Sequence, residues 1–488
     1  MLIACRSNPE QIGPGVTDDG SPLSLAVSEA GELDDPMMRA TLYLDLGNAY
    51  IDLGDEQNAA VLADEILTLA QASGASEESI RMQLRVAPLF YDAARPERSG
   101  EVLISAVQLI RAVEFPQVRA GLLAEAVKYA LLCGDSGLPT VRAAVDEAYV
   151  LEDPATRVDT LISVARLYQQ GGTALSVTSL IHQSVPSVRS IPNPRQRAYL
   201  FGRLAGLANA ARETDIRDRL VEDAMRELGR DAPSDTVNDR YVADLVRILS
   251  EIGARSSAAI AADLVADPQE RVRALVALAS GDPGLPVAPQ LLQSASDAAE
   301  QVSGNVARAE SLLTVADAYL SRADMPAAAR LADEVQSLLE AGAAAGQRLD
   351  LFLGVVHVIA GSDPGQLSAL INGQTDPFVR GSVATAAADQ LGAAGEPEIA
   401  KSLLTTALAS ADMADYLPDV LRLGVIRSYI GLGDPAAALA VVGSMVDPVL
   451  RTQAIVVMAV AISGTDSNET LTAEYRRLFL RRGTAASR

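Results

Sequence analysis

Asp35-Pro36-Met37-Met38-Arg39 opens with a phrase, Asp-Pro-x-x-Arg, that the chain repeats at Asp153-Pro154…Arg157, Asp267-Pro268…Arg271, Asp376-Pro377…Arg380 and Asp447-Pro448…Arg451. Each copy leads into an Ala/Leu/Val-rich stretch of helical length. Asp is a preferred N-cap because its carboxylate accepts bonds from the orphan amides of the first turn. Pro suits the next position, where its missing N–H costs nothing and its φ already fits a helix. The phrase is therefore a helix start. Its recurrence predicts an array of similar modules rather than one core. The Arg falls one turn in, near the positive end of the helix dipole, where a cation is mildly unfavourable. Two readings are open for it. Either it pairs with a carboxylate of the adjoining repeat, giving a ladder of ion pairs, or its head is solvated and its stem covers apolar surface.

Relaxed copies fill the gaps: Pro116…Arg119, Pro194…Arg197, Arg240, Arg308, Arg348 and Arg422. With Arg81 included, successive anchors lie between 29 residues (Arg422 to Arg451) and 43 residues (Arg197 to Arg240) apart. Two helices and two turns occupy about that length. A second punctuation follows the first helix of several units, as Gly54-Asp55, Gly134-Asp135, Gly395-Glu396 and Gly433-Asp434. Gly there supplies a left-handed C-cap and the acidic residue begins the next helix. Arg39, Arg119, Arg157, Arg197, Arg271, Arg308, Arg380 and Arg451 are the structural anchors of this scheme.

Leu46-Gly47…Tyr50…Gly54…Ala59 places a small residue, an aromatic, a turn Gly and a second-helix Ala at the offsets of the tetratricopeptide repeat. Ala316…Tyr319…Ala328, Tyr429…Gly433…Ala438 and Ala165…Tyr168…Gly172 match in part. The chain resembles that family over most of Asp35 to about Thr465, without its early Trp and with drifting spacing; the units around Arg240 and Arg348 resemble HEAT repeats equally well. The resemblance implies an all-α, right-handed superhelical solenoid of about twelve antiparallel helix-hairpin repeats. It also implies that partners bind along the first helices. Tyr50, Tyr129, Tyr168 and Tyr319 lie on those helices, and their recurrence at one offset marks them as packing residues of their own repeats.

Composition narrows the function. Across 488 residues, 49% are hydrophobic but only 4% aromatic, with no Trp, which suits close-packed helices. The net charge of −23 argues against a nucleic-acid surface, which needs clustered positive charge. Positive charge is nearly all Arg, with Lys only at 128 and 401. The most apolar runs, Leu351–Gly361 and Ala454–Ser463, are about half a membrane span and read as buried helices. Cys133 reads as a small buried hydrophobe. Leu2-Ile3-Ala4-Cys5 resembles the lipobox of bacterial lipoproteins, which implies lipidation of Cys5; the basic and apolar stretches that precede such a Cys are missing, so a late start and a chance match both stay open. Arg6–Ser24, rich in Pro, Gly and Ser, suits a tether.

The expected domains are a flexible segment at 1–34, the solenoid at 35–465, and a basic capping helix and tail at 466–488 around Tyr475-Arg476-Arg477-Leu478-Phe479-Leu480-Arg481-Arg482. His357, in an apolar helix, reads as a core residue, and His182 as a surface one. Neither a nucleophile elbow, nor a zinc-protease motif, nor a phosphate loop is present, so no cofactor and no catalysis are expected. The leading expectation is a scaffold for a protein or peptide partner that touches a membrane only through a lipid on Cys5. A helical-ring enzyme or ligand-binding protein and a cytoplasmic regulatory repeat protein are the alternatives.

Overall fold

The computed structural model describes residues 15–16, 19–170, 177–232, 235–281, 287–340, 345–463 and 470–477. Within them the regular structure is helical throughout. In chain order α1 (Pro22–Gly31) precedes α2 (Pro36–Asp52), α3 (Glu56–Ala72), α4 (Glu77–Asp92), α5 (Pro96–Ile110), α6 (Pro116–Leu132) and α7 (Leu138–Tyr149). Next come α8 (Pro154–Gln170), α9 (Val177–Ser190), α10 (Pro194–Ala210), α11 (Thr214–Leu228), α12 (Thr236–Glu251) and α13 (Arg255–Ala262). They are followed by α14 (Pro268–Ser280), α15 (Ala288–Glu300), α16 (Asn305–Ser321), α17 (Met325–Glu340), α18 (Ala345–Ser362) and α19 (Leu367–Asn372). The last are α20 (Pro377–Ala393), α21 (Pro397–Met413), α22 (Pro418–Gly431), α23 (Pro435–Val442), α24 (Pro448–Ser463) and α25, residues 470–477.

The five strict Asp residues all cap. Asp35 accepts from the amides of Met37 and Met38, Asp267 from Gln269 and Glu270, and Asp376 from Phe378 and Val379. Asp153 accepts from Thr156 and Asp447 from Leu450, and Asn193 does the same ahead of α10. Each such cap is worth about 1 kcal/mol. The turn closing a hairpin is equally regular. The Asp55 amide donates to Tyr50 O at 2.8 Å, and the same six-residue bond recurs at Arg95–Phe90, Glu213–Ala208, Ala254–Leu249, Asp324–Tyr319, Glu396–Leu391 and Asp434–Tyr429. This is the Schellman closure, and it needs one left-handed residue. Gly54, Gly395 and Gly433 supply it as expected, Gly253 does so unforeseen, and Ala94, Arg212 and Ala323 adopt it as well, whereas Gly134, also left-handed, opens a 3-10 turn (Gly134–Gly137) instead.

Contacts divide the chain into two compact units, Met1–Glu147 with Asp376–Arg488, and Ala148–Thr375. In the second unit the first helices stack in the order α8, α10, α12, α14, α16, α18, each backed by the helix that follows it. In the first unit the order is α20, α22, α24, α2, α4, α6, so the stack runs through the chain termini: α2 packs on α24 as it packs on α4. Small residues let these helices approach. A Cβ on Gly47 would lie 2.6 Å from Leu89 of the next first helix, and one on Gly202 would lie 2.2 Å from Leu245. The chain is thus an all-α solenoid of helical hairpins, a helical repeat protein.

The domain boundaries differ from those expected. Residues 22–31 are not part of a flexible segment. They form α1, capped by Ser21 and burying Leu23, Ala26, Val27 and Ala30 against α24 and α2. The Pro/Gly/Ser richness of the preceding stretch hid this short apolar helix. At the other end Tyr475 is fully buried, its hydroxyl donating within reach of Pro22 O (3.3 Å) and Ile455 O (3.2 Å), while Arg476 Nε donates to Gly20 O. Residues 475–476 of α25 are therefore bonded to residues 20–22 at the start of α1. Cys5, residues 6–14 of the expected tether, and Leu478–Arg482 lie outside the described residues.

Candidate functional site

The anchors divide between two roles: Arg81 pairs with Glu125 of the next repeat and Arg422 with Asp412 of the preceding one, while others turn to the backbone. A helical side chain leans toward the N-terminus of its own helix, so an Arg one turn in reaches back over the linker that precedes its cap. Arg157 Nε donates to Leu151 O at 2.8 Å and its Nη2 to Glu152 O at 3.1 Å. Arg197 donates to Ile191 O and Pro192 O at 2.6 and 2.8 Å, Arg308 to Val302 O at 3.3 Å, and Arg39 to Gly31 O at 3.5 Å. The guanidinium thus covers carbonyls left open where the previous helix ended, which offsets its poor place in the dipole. Arg380 instead reaches Ser410 Oγ and Met413 Sδ of α21. Arg271 lines a pocket of about 290 Å³ with Ser294, Asp297 and Gln301. Arg119 and Arg451 are half-buried at the same register. Arg197 also has a carboxylate partner, Glu227 at 2.6 Å, within its own hairpin.

Further ion pairs join neighbouring repeats, on residues besides the anchors as well as on Arg81. In the first unit Arg81 of α4 pairs with Glu125 of α6; in the second unit the pairs run along the face of the first helices, beginning with Asp159 of α8 and Arg203 of α10. They continue with Asp244 of α12 and Arg273 of α14 at 3.4 Å, and Asp317 of α16 with His357 of α18 at 3.3 Å. His357 is therefore half-exposed on this face and not in the core. Its apolar neighbours in sequence face the other way. His182 is exposed, as expected.

In the second unit this face gathers its most reactive chemistry. Arg203 is largely buried, with its guanidinium carbon 5.8 Å from the Tyr199 ring centroid. Burial, with Arg247 nearby, pulls its pKa down. Tyr199 and Tyr241 pack with centroids 5.6 Å apart at 34°. Burial pushes the Tyr199 hydroxyl up, and Asp244 adds to this. A cleft of about 370 Å³ lies between α12, α14 and α16, lined by Asp244, Arg247, Glu251, Arg273, Val276 and Thr314 among others. Glu270, buried beneath Arg273 at 2.8 Å, is raised in pKa by desolvation against the pull of that Arg. A second cavity, about 330 Å³ and mostly apolar, opens behind α12 between Ser250, Ser256, Leu278 and Leu291.

The tyrosines singled out by sequence lie elsewhere. Tyr50 and Tyr319 are buried, as packing residues should be. Tyr129 is half-buried beside the Lys128 ammonium, and the Tyr168 side chain lies outside the described residues. Tyr199 and Tyr241 were missed because they follow their anchors by two residues and one, on the turn that faces the next repeat. The Tyr199/Arg203 spacing of four was the available signal. Sequence also missed Asp239 and Asp419, both 4% exposed. Asp239 Oδ2 accepts from the amides of Ala266 and Asp267 at 2.9 and 2.6 Å; Asp419 Oδ2 accepts from Val446 and Asp447 at 2.7 and 2.6 Å. Each carboxylate clamps the start of the next repeat. Both occur where the second helix, α13 or α23, is only eight residues long, so that the chain returns past the start of the first.

Cys133 is buried, its Sγ within 3.2 Å of Tyr129 O, and burial pushes its thiol up to about 11. Among the described residues no cluster of His, Cys, Asp and Glu could hold a metal, and no helix is long and apolar enough to cross a membrane.

No protein-family model matches the chain, and no curated protein does. Among solved structures it is similar to Ton1535 from Thermococcus onnurineus NA1, at 15% identity over 67% of this chain and 94% of that one, with a TM-score of 0.30. It is also similar to a circular tandem repeat protein with novel repeat topology and enhanced subunit contact surfaces, at 11% identity over 93% and 98% of the two chains, with a TM-score of 0.22. Likenesses this distant assign neither family nor function.

Proposed function

We propose that the chain is a non-catalytic scaffold of repeats similar to tetratricopeptide repeats, holding a protein or peptide partner along the first-helix face of its second unit. The observation that carries this reading is the Tyr199–Tyr241 pair on α10 and α12, with Arg203 and Arg247 near Tyr199, on helices one of which also lines the 370 Å³ cleft through Asp244 and Arg247. Interface hot spots draw on Tyr and Arg beside a pocket that can be desolvated. The carboxylates paired between repeats give the same face both signs of charge, suited to fixing the register of an extended segment. The likeness to tetratricopeptide repeats is supported by Gly47 lying under Leu89, Tyr50 and Ala59 being buried, and Gly54 being left-handed, each in the role that family gives it. Lipidation of Cys5 would tether the scaffold to a bacterial envelope.

The test is capture by cross-linking from native membranes with three baits: the wild-type chain, Tyr241→Ala/Arg247→Glu, and Cys5→Ala. The face variant should keep its melting temperature and lose the partner that the wild type holds. The Cys5 variant should leave the membrane fraction. Equal recovery of every partner by wild type and face variant would sink the reading of the face, and unchanged membrane retention of Cys5→Ala would sink the tether.

A further inference from the structure

We propose that the α10–α11 hairpin, with the end of α9, forms a binding site for a doubly charged oxyanion of the phosphate type. The site lies apart from the first-helix face. Asp223, Arg226, Glu227 and Arg230 follow one another at steps of three, one and three residues along the last turns of α11 and just beyond, and so share a side. Arg189, in the last turn of α9, and Arg197, in the first turns of α10, close the other walls. Together with Phe201 they line a pocket of about 380 Å³.

Four guanidinium groups share two carboxylates there. Asp223 pairs with Arg226 and, at 3.6 Å, with Arg189. Glu227 pairs with Arg197 at 2.6 Å and Arg230 at 3.1 Å. The pocket thus holds a surplus of two positive charges, on a chain whose Asp and Glu outnumber Lys and Arg by 63 to 40. Both carboxylates lie low in the site, 20% and 12% exposed, while Arg189, Arg226 and Arg230 stand 59–65% exposed at its rim.

Arg197 is the fixed member. Its Nη1 donates to Ile191 O and Pro192 O and its Nε and Nη2 to Glu227, so it is already positioned and keeps one Nη2 N–H for an anion. A dipole effect at the C-terminal end of α11 accounts for Arg226 and Arg230, but not for Arg189 on a different helix or for Arg197 at the start of α10. The carbonyl end of α11 would repel an anion, and here Arg195 covers it, donating from Nη1 to Leu228 O at 3.1 Å. Guanidinium groups present paired N–H donors in the geometry that phosphate oxygens accept. A dianion matches the surplus charge, where a single carboxylate would leave half of it.

The full chain is titrated with sodium phosphate against sodium chloride of equal ionic strength, following the melting temperature and the ³¹P linewidth. The expected result is a saturable rise in melting temperature and broadening for the wild type. Arg189→Gln/Arg230→Gln, both at exposed positions, should bind at least tenfold more weakly while melting normally without phosphate. Arg226→Gln gives a second, single-site check on the linewidth. No saturable effect in the wild type, or equal effects in wild type and variants, would overturn the proposal. A second arm uses a blocked Ala-phosphoserine-Ala peptide. Binding tighter than inorganic phosphate assigns the group to a phosphorylated chain, and equal or weaker binding assigns it to a free phosphate or small ester.

Discussion

Asp239 and Asp419 show what a buried carboxylate does when its partners include backbone amides of the next repeat, joined at Asp419 by Arg422. Each accepts from two amides at the start of the next repeat and leaves them without that acceptor if removed. For Asp419→Ala the expected loss is about 2–4 kcal/mol, from two stranded donors, read from the urea midpoint. The pH dependence carries the sign. Burial alone would raise the Asp419 carboxyl, but bonds from the Asp447 and Val446 amides and from Arg422 outweigh it and hold the folded pKa low. The stabilisation is therefore fully present above the unfolded value of about 3.9 and lost as pH falls through the folded value. Wild type and variant should differ most above pH 5 and converge in acid. A gap unchanged down to pH 2 would show that the clamp is not ionic. None of this was legible in the sequence, because the partners are backbone groups 27 and 28 residues away. The Asp of Asp-Pro, by contrast, was legible because its partners are two or three residues away.

Helix starts and stops are local, and at the scale of the element the sequence could be read well. Asp-Pro marks the caps of α2, α8, α14, α20 and α24, and Gly-Asp marks the turn before α3 and α23. Reading failed where tertiary packing overrides local preference. Ala94, Arg212 and Ala323 take a left-handed conformation that costs an L-residue about 1–2 kcal/mol, because the two helices they join are held by their own buried faces. Gly433→Ala, at φ +72° with open space around it, should therefore lower stability by about 1 kcal/mol in urea unfolding. Ala323→Gly should change it by less than about 0.5 kcal/mol, since relief of strain is offset by a freer unfolded chain. A loss at Ala323→Gly as large as that at Gly433→Ala would mean that the turn is not strained. The arginine anchors illustrate the same limit: residue type and spacing announced cations near helix starts, but the lean of helical side chains decided that several of them cover linker carbonyls instead.

At the scale of the molecule, the hairpin array was legible from its period, and the joining of its ends was not, since nothing in Pro22–Gly31 or around Tyr475 names a partner more than 400 residues away. Tyr475→Ala removes a fully buried aromatic from that seam and should cost about 3–5 kcal/mol locally. Hydrogen exchange is the measurement: amides of α1 and α24 should exchange faster, and those of α12 and α14 should not change. Uniform acceleration through both units would refute a local seam. Because first helices of one unit stack straight through the termini, the units also differ in when they can exist. Ala148–Thr375 is one uninterrupted segment, and every neighbour it needs has been made before Asp376 is added. The other unit has its first half waiting, α1 and one side of α2 uncovered, until α24 has been made. Newly made chains should thus carry a finished domain beside an unfinished one, and it is the apolar side of α1 that a chaperone would meet.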